Sequence, residues 1–202
     1  MYGMRLVMEI LNQGRLTLGA GAMGLQRVLL AKAEAYAAER QQFGRPISEF
    51  PLIQEKIARM RSGLYALESM VYLTAGLADR GILKRYPIEA AICKVFGSEL
   101  AEWSARELMQ IMGGMGYMVE AEAERLYRDI RIAAIFEGTN EINLMQIAGK
   151  GLAEPGTEIQ AALKSVRKGV MRAKESIPAL WAALSRPLRY PHLGVMPADL
   201  AP

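Results

Sequence analysis

The sequence predicts an all-α protein, an antiparallel bundle of the four-helix type. Three observations predict it. Apolar residues recur at intervals of three and four through much of the first 150 positions, the spacing of one buried helix face. The segment from Met4 to Arg40 runs without a proline. No alternating strand pattern of convincing length appears anywhere.

The first segment, about Met4 to Arg40, places Met4, Val7, Met8, Leu11, Leu25, Val28, Leu29 and Tyr36 at helical spacing. Gly14, Gly19, Gly21 and Gly24 interrupt it at a propensity cost of about 1 kcal/mol each. Glycines kept at that cost point to close packing against a helix or a ligand. A loop follows over Gln41–Pro46, punctuated by Gly44 and Pro46. Ser48 is the expected N-cap of the second helix. That helix carries Ile53, Ile57, Met60, Leu64, Leu67 and Val71 on one seam and stops near Arg80-Gly81. Pro87 fits the first turn of a third helix, with Ile88, Ile92, Val95, Trp103, Leu108 and Ile111 on its apolar face and a stop at Gly113-Gly114. A short polar helix is expected at about Glu120–Arg128. Thr139 is the expected N-cap of another helix reaching about Gly149, with Glu141 in its first turn.

The texture changes after Gly151. The sequence therefore divides into a bundle over 1–150 and the start of a partly helical extension over 151–202. The extension opens on a Pro155-Gly156 break and continues as an amphipathic helix with a basic face at about 157–177. Pro178, Pro187, Pro191, Pro197 and Pro202 break up the remainder.

Composition narrows the chemistry. The 202 residues are 51% hydrophobic and 23% charged, a globular balance. No apolar run is long enough to span a bilayer. The net charge is +4, of which 151–202 hold +3, so the bundle carries no nucleic-acid footprint. Cys93 is the only cysteine, which fits a reducing compartment and reads as a small core residue. His192 is the only histidine and lies in the proline-rich tail. One Cys and one His cannot build a zinc site, so no metal is expected. Carboxylates and a bound organic cofactor must carry any chemistry.

Four segments have both a plain and a functional reading. Gly19-Ala-Gly21-Ala-Met-Gly24 matches a dinucleotide fingerprint, but no strand precedes it, so helix packing is the better reading. Gln110-Ile-Met-Gly113-Gly114-Met-Gly116-Tyr117 is either a glycine-rich helix stop or a backbone bared for a large ligand. Arg40 is a partner for a helix C-terminus or, with Phe43, suits a phosphate and a flat ring. Glu137 in Ile135-Phe136-Glu137-Gly138-Thr139-Asn140 is an ordinary loop glutamate or a general base. A carboxylate against apolar neighbours gains proton affinity, Gly138 frees the backbone to aim it, and the next helix presents N–H groups.

The ordered strings Asn12-Gln-Gly-Arg15, Glu39-Arg-Gln-Gln-Phe-Gly44, Leu52-Ile-Gln-Glu-Lys-Ile-Ala-Arg-Met60, Lys94-Val-Phe-Gly-Ser-Glu99, Gln110 to Tyr117, Tyr127-Arg-Asp-Ile-Arg131 and Phe136-Glu-Gly-Thr-Asn-Glu-Ile142 together resemble the acyl-CoA dehydrogenase family. The resemblance covers about residues 4–150, the C-terminal helical domain, and leans toward the very-long-chain branch. It implies FAD-dependent α,β-dehydrogenation of acyl-CoA thioesters, with Glu137 as catalytic base. The rival base position of some members is Gly14 here, which has no side chain to act. Arg40, Gln42, Phe43, Gln110, Gly113, Gly114, Thr139 and Glu141 fall at positions that contact FAD, some across a dimer interface. Gly138 and Arg15 fall at substrate contacts. The implied partners are acyl-CoA, a second copy of the chain in a homodimer or larger assembly, and an electron-transfer flavoprotein as acceptor. The resemblance also implies a cytoplasmic setting in a bacterium or a mitochondrial one in a eukaryote. The basic helix at 157–177 adds possible peripheral membrane contact. The family also has an N-terminal helical domain and a middle β-domain, so this chain is expected to hold part of a site that others complete. The alternative is a non-catalytic oligomerisation or assembly module derived from the same family.

Overall fold

The computed structural model describes residues 2–153, 156–157 and 160–161. The chain divides into two units, Met1–Ala148 and Gly149–Pro202. The first holds the long helices. In the second, the described residues are the end of the last helix and a short continuation in which Gly156 N–H donates to the Leu152 carbonyl. Residues 162–202, which hold most of the basic amphipathic segment and the proline-rich tail, lie outside the described residues.

Helix α1 spans Tyr2–Glu39, α2 Pro51–Asp79, α3 Pro87–Met112, α4 Gly114–Tyr117, α5 Ala123–Ile130 and α6 Asn140–Gly151. Cross-contacts fix their directions. Arg27 pairs with Glu68 and Arg61 with Glu34, so α1 and α2 run antiparallel. Gly19 faces Cys93, and the Tyr36 hydroxyl donates to the Met112 carbonyl, so α3 runs parallel to α1. Lys56 pairs with Glu107 and Thr74 meets Cys93, which sets α2 against α3. Lys94 bonds Asn140, and Gln146 Nε2 donates to the Pro87 carbonyl, so α6 reverses again. Helices α1, α2 and α3 thus run up, down and up, α5 packs on α3, and α6 runs back down, tied to α1 and α3 through Asn140 and Gln146.

The α2 seam packs as the spacing predicts: Met60, Leu67 and Val71 are buried, and Ile53, Ile57 and Leu64 pack against the core. Cys93 is a core residue. The α1 face holds in part: Leu29 is buried, and Leu25 and Tyr36 pack against the core. Val7, Met8 and Val28 are exposed, and the buried stripe is Ala22, Met23, Gln26, Leu29, Leu30, Ala33 and Ala37. The reason is steric. Ala22, Ala33 and Ala37 let α1 approach α3 closely, so small residues share the buried face with Met23, Leu29 and Leu30. Gln26 is half satisfied there: its Nε2 donates to the Met60 carbonyl, while its Oε1 is buried without a partner among the described residues. Helix α3 is the central member and is buried on several sides, including Lys94, Ser98, Ser104 and Glu107.

Three boundaries shift. Ser48 lies inside a 3₁₀ turn, Ile47–Glu49, instead of capping α2. Phe50 takes the cap position because Pro51, with its fixed φ, occupies the first helical turn. The loop at 41–46 is a small hairpin, Gln41–Gln42 against Arg45–Pro46. Phe43 (φ 53°) and Gly44 (φ 80°) form its tip, both at the positive φ that a primed two-residue turn needs. The polar helix begins at Ala123, after a 3₁₀ turn at Val119–Ala121 and a left-handed Glu122.

Candidate active site at the Glu137 turn

Helix α5 runs into a 3₁₀ turn, Arg131–Ala134, and then into the turn that carries Glu137. Glu137 has φ 57° and Gly138 φ 85°. A left-handed backbone at a residue with a Cβ costs about 1–2 kcal/mol. Such an outlier persists only where surrounding contacts enforce it, and outliers of this kind cluster at functional sites.

The enforcing contacts all fall on carbonyls. The Glu137 carbonyl accepts from Arg15 Nε at 3.0 Å. The Gly138 carbonyl accepts from Lys94 Nζ at 2.9 Å and from Asn143 Nδ2 at 2.7 Å. The Thr139 carbonyl accepts from Asn143 Nδ2 at 3.1 Å. The Arg15 guanidinium is held in turn by Gln146 Oε1 at 2.9 Å. Burial lowers the Arg15 pKa, and the Glu137 charge opposes that.

The Glu137 side chain turns onto α1. A Cβ added at Gly14 would lie 2.8 Å from Glu137 Oε1 and 2.9 Å from Oε2. The carboxylate therefore fills the notch that this glycine leaves. Glu137 Oε2 is buried and has no hydrogen-bond partner among the described residues. Ile135 and Phe136, expected to wall the carboxylate off, are half-exposed. The enclosure comes from α1 across the turn instead of from sequence neighbours.

Thr139 caps α6: its hydroxyl oxygen faces the Ile142 N–H at 3.5 Å. Glu141 sits in the first turn of α6. Its carboxyl is held below the ordinary value by its own backbone N–H, then by the Thr139 hydroxyl, with smaller help from Arg131 and Lys94. Gly138 is enclosed as well as left-handed, because a Cβ there would meet Arg15 Nη2 and Asn143 Nδ2 at 3.3 Å.

Arg15, expected at a substrate, is 4% exposed and bonds within the chain. The remaining expected residues form a second cluster. Arg40 and Gln42 belong to the hairpin region, and Phe43 at its tip is 92% exposed. Gln110, Gly113 and Gly114 lie exposed at the end of α3. The Tyr36–Met112 hydrogen bond joins these two groups at one end of the bundle. Glycines here divide by role: Gly113 (φ 60°) turns the chain, Gly116 packs on the Met109 carbonyl, and Gly114 has open space around it. Gly14 and Arg40 are 26 residues apart on α1 and its C-terminal extension, about 39 Å at roughly 1.5 Å per residue. That is further than an extended dinucleotide reaches.

Lys94, Ser98, Asn140, Asn143 and Gln146 had no assigned role from sequence. The available signal was a lysine on the buried stretch of α3 between Cys93 and Val95. A groove of about 510 Å³ between α2 and α3, lined by Arg59, Gly63, Phe96 and Trp103 among others, contains none of the residues of either cluster.

Residues 2–152 match the family model described as acyl-CoA dehydrogenase, C-terminal domain. The human mitochondrial very long-chain specific acyl-CoA dehydrogenase is 46% identical over 166 residues, 81% of this chain and 25% of the relative. Butyryl-CoA dehydrogenase from Megasphaera elsdenii superposes with a TM-score of 0.71 at 37% identity, over 74% of this chain and 39% of that one. An acyl-CoA dehydrogenase from Bacillus anthracis complexed with FAD superposes with a TM-score of 0.66 at 41% identity, over 88% of this chain and 32% of that one. The chain thus spans about a quarter of the length of the very long-chain relatives it matches. With an all-helical bundle, a glutamate turn packed on α1 and this extent of similarity, the chain belongs to the acyl-CoA dehydrogenase family, matching its C-terminal domain.

Proposed function

We propose that this chain is the base-bearing part of a flavin-dependent acyl-CoA dehydrogenase and that Glu137 removes the substrate α-proton. The observation that carries the reading is the Glu137 carboxylate, set on a left-handed backbone in the Gly14 notch, with Oε2 buried and unpartnered. A buried carboxylate oxygen with no internal donor suits a group that accepts a proton from a ligand.

The residues fit an FAD. The exposed Phe43 ring offers a flat face, Arg40 three residues before it a cation, and the open Gly114 backbone admits a close approach. The α6 N-terminus, with Thr139 and Glu141, offers polar groups next to Glu137. Arg40, Gln42, Phe43, Gln110, Gly113 and Gly114 would hold the cofactor at one end, and Thr139 and Glu141 at the other. Two ends about 39 Å apart serve one cofactor only if a second copy supplies one of them, so the reading requires a homodimer or a larger assembly. The bound flavin supplies a hydride acceptor, and an electron-transfer flavoprotein then takes the electrons.

In the reaction, Glu137 takes the α-proton as the β-hydrogen leaves as hydride, and the α,β double bond forms. The Glu137 backbone N–H donates to the thioester oxygen, which stabilises the charge that develops there. Gly138 would meet the substrate through its backbone, its missing Cβ leaving room for Arg15 and Asn143, and Arg15 would act on the substrate through the Glu137 carbonyl that it holds.

The test joins residues 2–152 to the remaining domains of the human very long-chain relative, loads FAD and follows flavin bleaching by acyl-CoA. Glu137→Gln is expected to slow bleaching by about 10²–10⁴-fold. Undiminished bleaching rejects the base. A protein that stays colourless with added FAD favours a non-catalytic assembly module.

A further inference from the structure

Lys94 has the least expected environment among the charged residues described. Its residue is 0% exposed, at the middle of the bundle, yet it carries an ammonium. A buried cation is normally kept by a carboxylate at contact distance. The described hydrogen bonds of Lys94 Nζ go to neutral oxygens instead: the Gly138 carbonyl at 2.9 Å and Asn140 Oδ1 at 2.6 Å. Asn140 is itself fixed, because its Nδ2 donates to Ser98 Oγ at 3.0 Å. Ser98 stands one turn beyond Lys94 on α3, so the lysine and the clamp on its acceptor come from the same helix.

The second donor to the Gly138 carbonyl is Asn143 Nδ2, from α6. That oxygen is thus gripped from α3 and α6 together, while Arg15 on α1 grips the preceding carbonyl. Three helices hold two consecutive peptide planes. Among the described residues the peptide bonds are trans, so within each plane the N–H points opposite to the C=O. Drawing the Glu137 and Gly138 carbonyls inward therefore turns the N–H groups of Gly138 and Thr139 away from the bundle. Holding the 137–138 plane fixes ψ of Glu137 and φ of Gly138, and holding the 138–139 plane fixes ψ of Gly138 and φ of Thr139, so the turn that aims the Glu137 carboxylate at the Gly14 notch is tied down on its C-terminal side.

We infer that Lys94 is a positioning residue for the Glu137 base, acting through the Gly138 carbonyl, with Asn143 as the second anchor of the same oxygen. The inference rests on the reading of Glu137 as base. It adds a reason for placing a desolvated cation under the turn: a neutral donor would grip the same carbonyl less strongly. Burial and the Arg15 charge both lower the Lys94 pKa, and Glu141, Glu137 and Glu99 partly restore it. The nearby carboxylates thus favour the charged donor without contacting it.

Two experiments test this. In the 202-residue chain, Lys94→Met and Asn143→Ala are compared with the parent by backbone NMR. Loss of the left-handed signature at Glu137, with helical circular dichroism unchanged, is expected for Lys94→Met. A smaller change is expected for Asn143→Ala. For Lys94→Ala, added ethylammonium is expected to restore the parent spectrum at Glu137–Asn140, which a purely packing role would not produce. If Lys94→Met does not fold, Asn143→Ala decides alone. A left-handed Glu137 retained in the folded variants overturns the proposal. In the flavin-loaded hybrid with the human relative's domains, Lys94→Met is expected to lower kcat about 100-fold with KM changed by less than about twofold. An unchanged kcat beside an inactive Glu137→Gln overturns the positioning role and leaves the base standing. Undiminished bleaching by Glu137→Gln rejects the base itself.

Discussion

Glu137 shows how little of a residue's role lies in its own neighbours. Its flanking Ile135 and Phe136 are half-exposed and do not enclose it. Its enclosure comes from Gly14, 123 positions earlier, and from carbonyl contacts to Arg15, Lys94 and Asn143. Gly14 is therefore a sensitive test point. An added Cβ would lie 2.8 Å from Oε1, but the obstacle is the end of a flexible side chain, which can swing away. Gly14→Ala is thus expected to change the urea-unfolding midpoint little while lowering the rate of flavin reduction by about 10–100-fold, since a small misplacement of a reacting group is costly. A parent-like rate in stopped-flow reduction would show that the carboxylate does not need the notch.

At the scale of the element, the glycines of α1 separate into two kinds that the sequence presents alike. Gly19 faces Cys93, where a Cβ would lie 3.0 Å from the Cys93 Cβ and carbonyl oxygen. Gly97 on α3 meets Ala22, Leu67 and Gly19. These close contacts let α1, α2 and α3 share one seam. Gly21 and Gly24 have nothing within 4 Å of an added Cβ. Gly21→Ala and Gly24→Ala are expected to stabilise the bundle by about 1 kcal/mol each, through helix propensity alone. Gly97→Val is expected to destabilise it by about 1–3 kcal/mol by overpacking. Urea denaturation of the three variants separates the two kinds; equal effects would mean that the seam is looser than these contacts imply. The fingerprint-like spacing of Gly19, Gly21 and Gly24 thus reflects one packing contact and two exposed positions.

Over the whole molecule, the buried acid on α3 offers a check on how the helices are tied together. Glu107 is 7% exposed and pairs with Lys56 of α2 and with Arg106. Burial pushes its carboxyl up, but hydrogen bonds from Lys56 and Arg106 outweigh that and hold it below 4.5. A carboxyl depressed on folding contributes stability that is present above the unfolded value near 4.5. That stability is lost as pH falls through the lower folded value. Lys56→Met is expected to cost about 1–3 kcal/mol at neutral pH. Its difference from the parent should shrink on acidification below 4.5, as urea titrations at several pH values would show. A difference that does not vary with pH would mean that Lys56 acts by packing, not by charge.

Residue order was enough to settle the helical class, the α2 seam, the stop at Gly113, the cap at Thr139 and the motif order that carries the family resemblance. Each depends on residues close together in the chain, where periodicity and capping chemistry act. The residues around Glu137 left it open between an ordinary loop glutamate and a base, and the family resemblance, with Gly14 at the rival position, is what pointed to it. On α1 the face of Leu25, Leu29 and Tyr36 was legible, but the small residues of the buried stripe, Ala22, Ala33 and Ala37, emerged only on packing, because close approach selects residues that hydrophobicity does not mark. Packing also brought Lys94 and Asn143 under the Glu137 turn and gathered Arg40 and Gln110 at the other end of the bundle. Apart from Asn143, five positions from Gly138, those relations join residues dozens of positions apart through hydrogen bonds to backbone carbonyls. A backbone carbonyl carries no side-chain identity, so no pattern of residue types announces which one a distant lysine will reach.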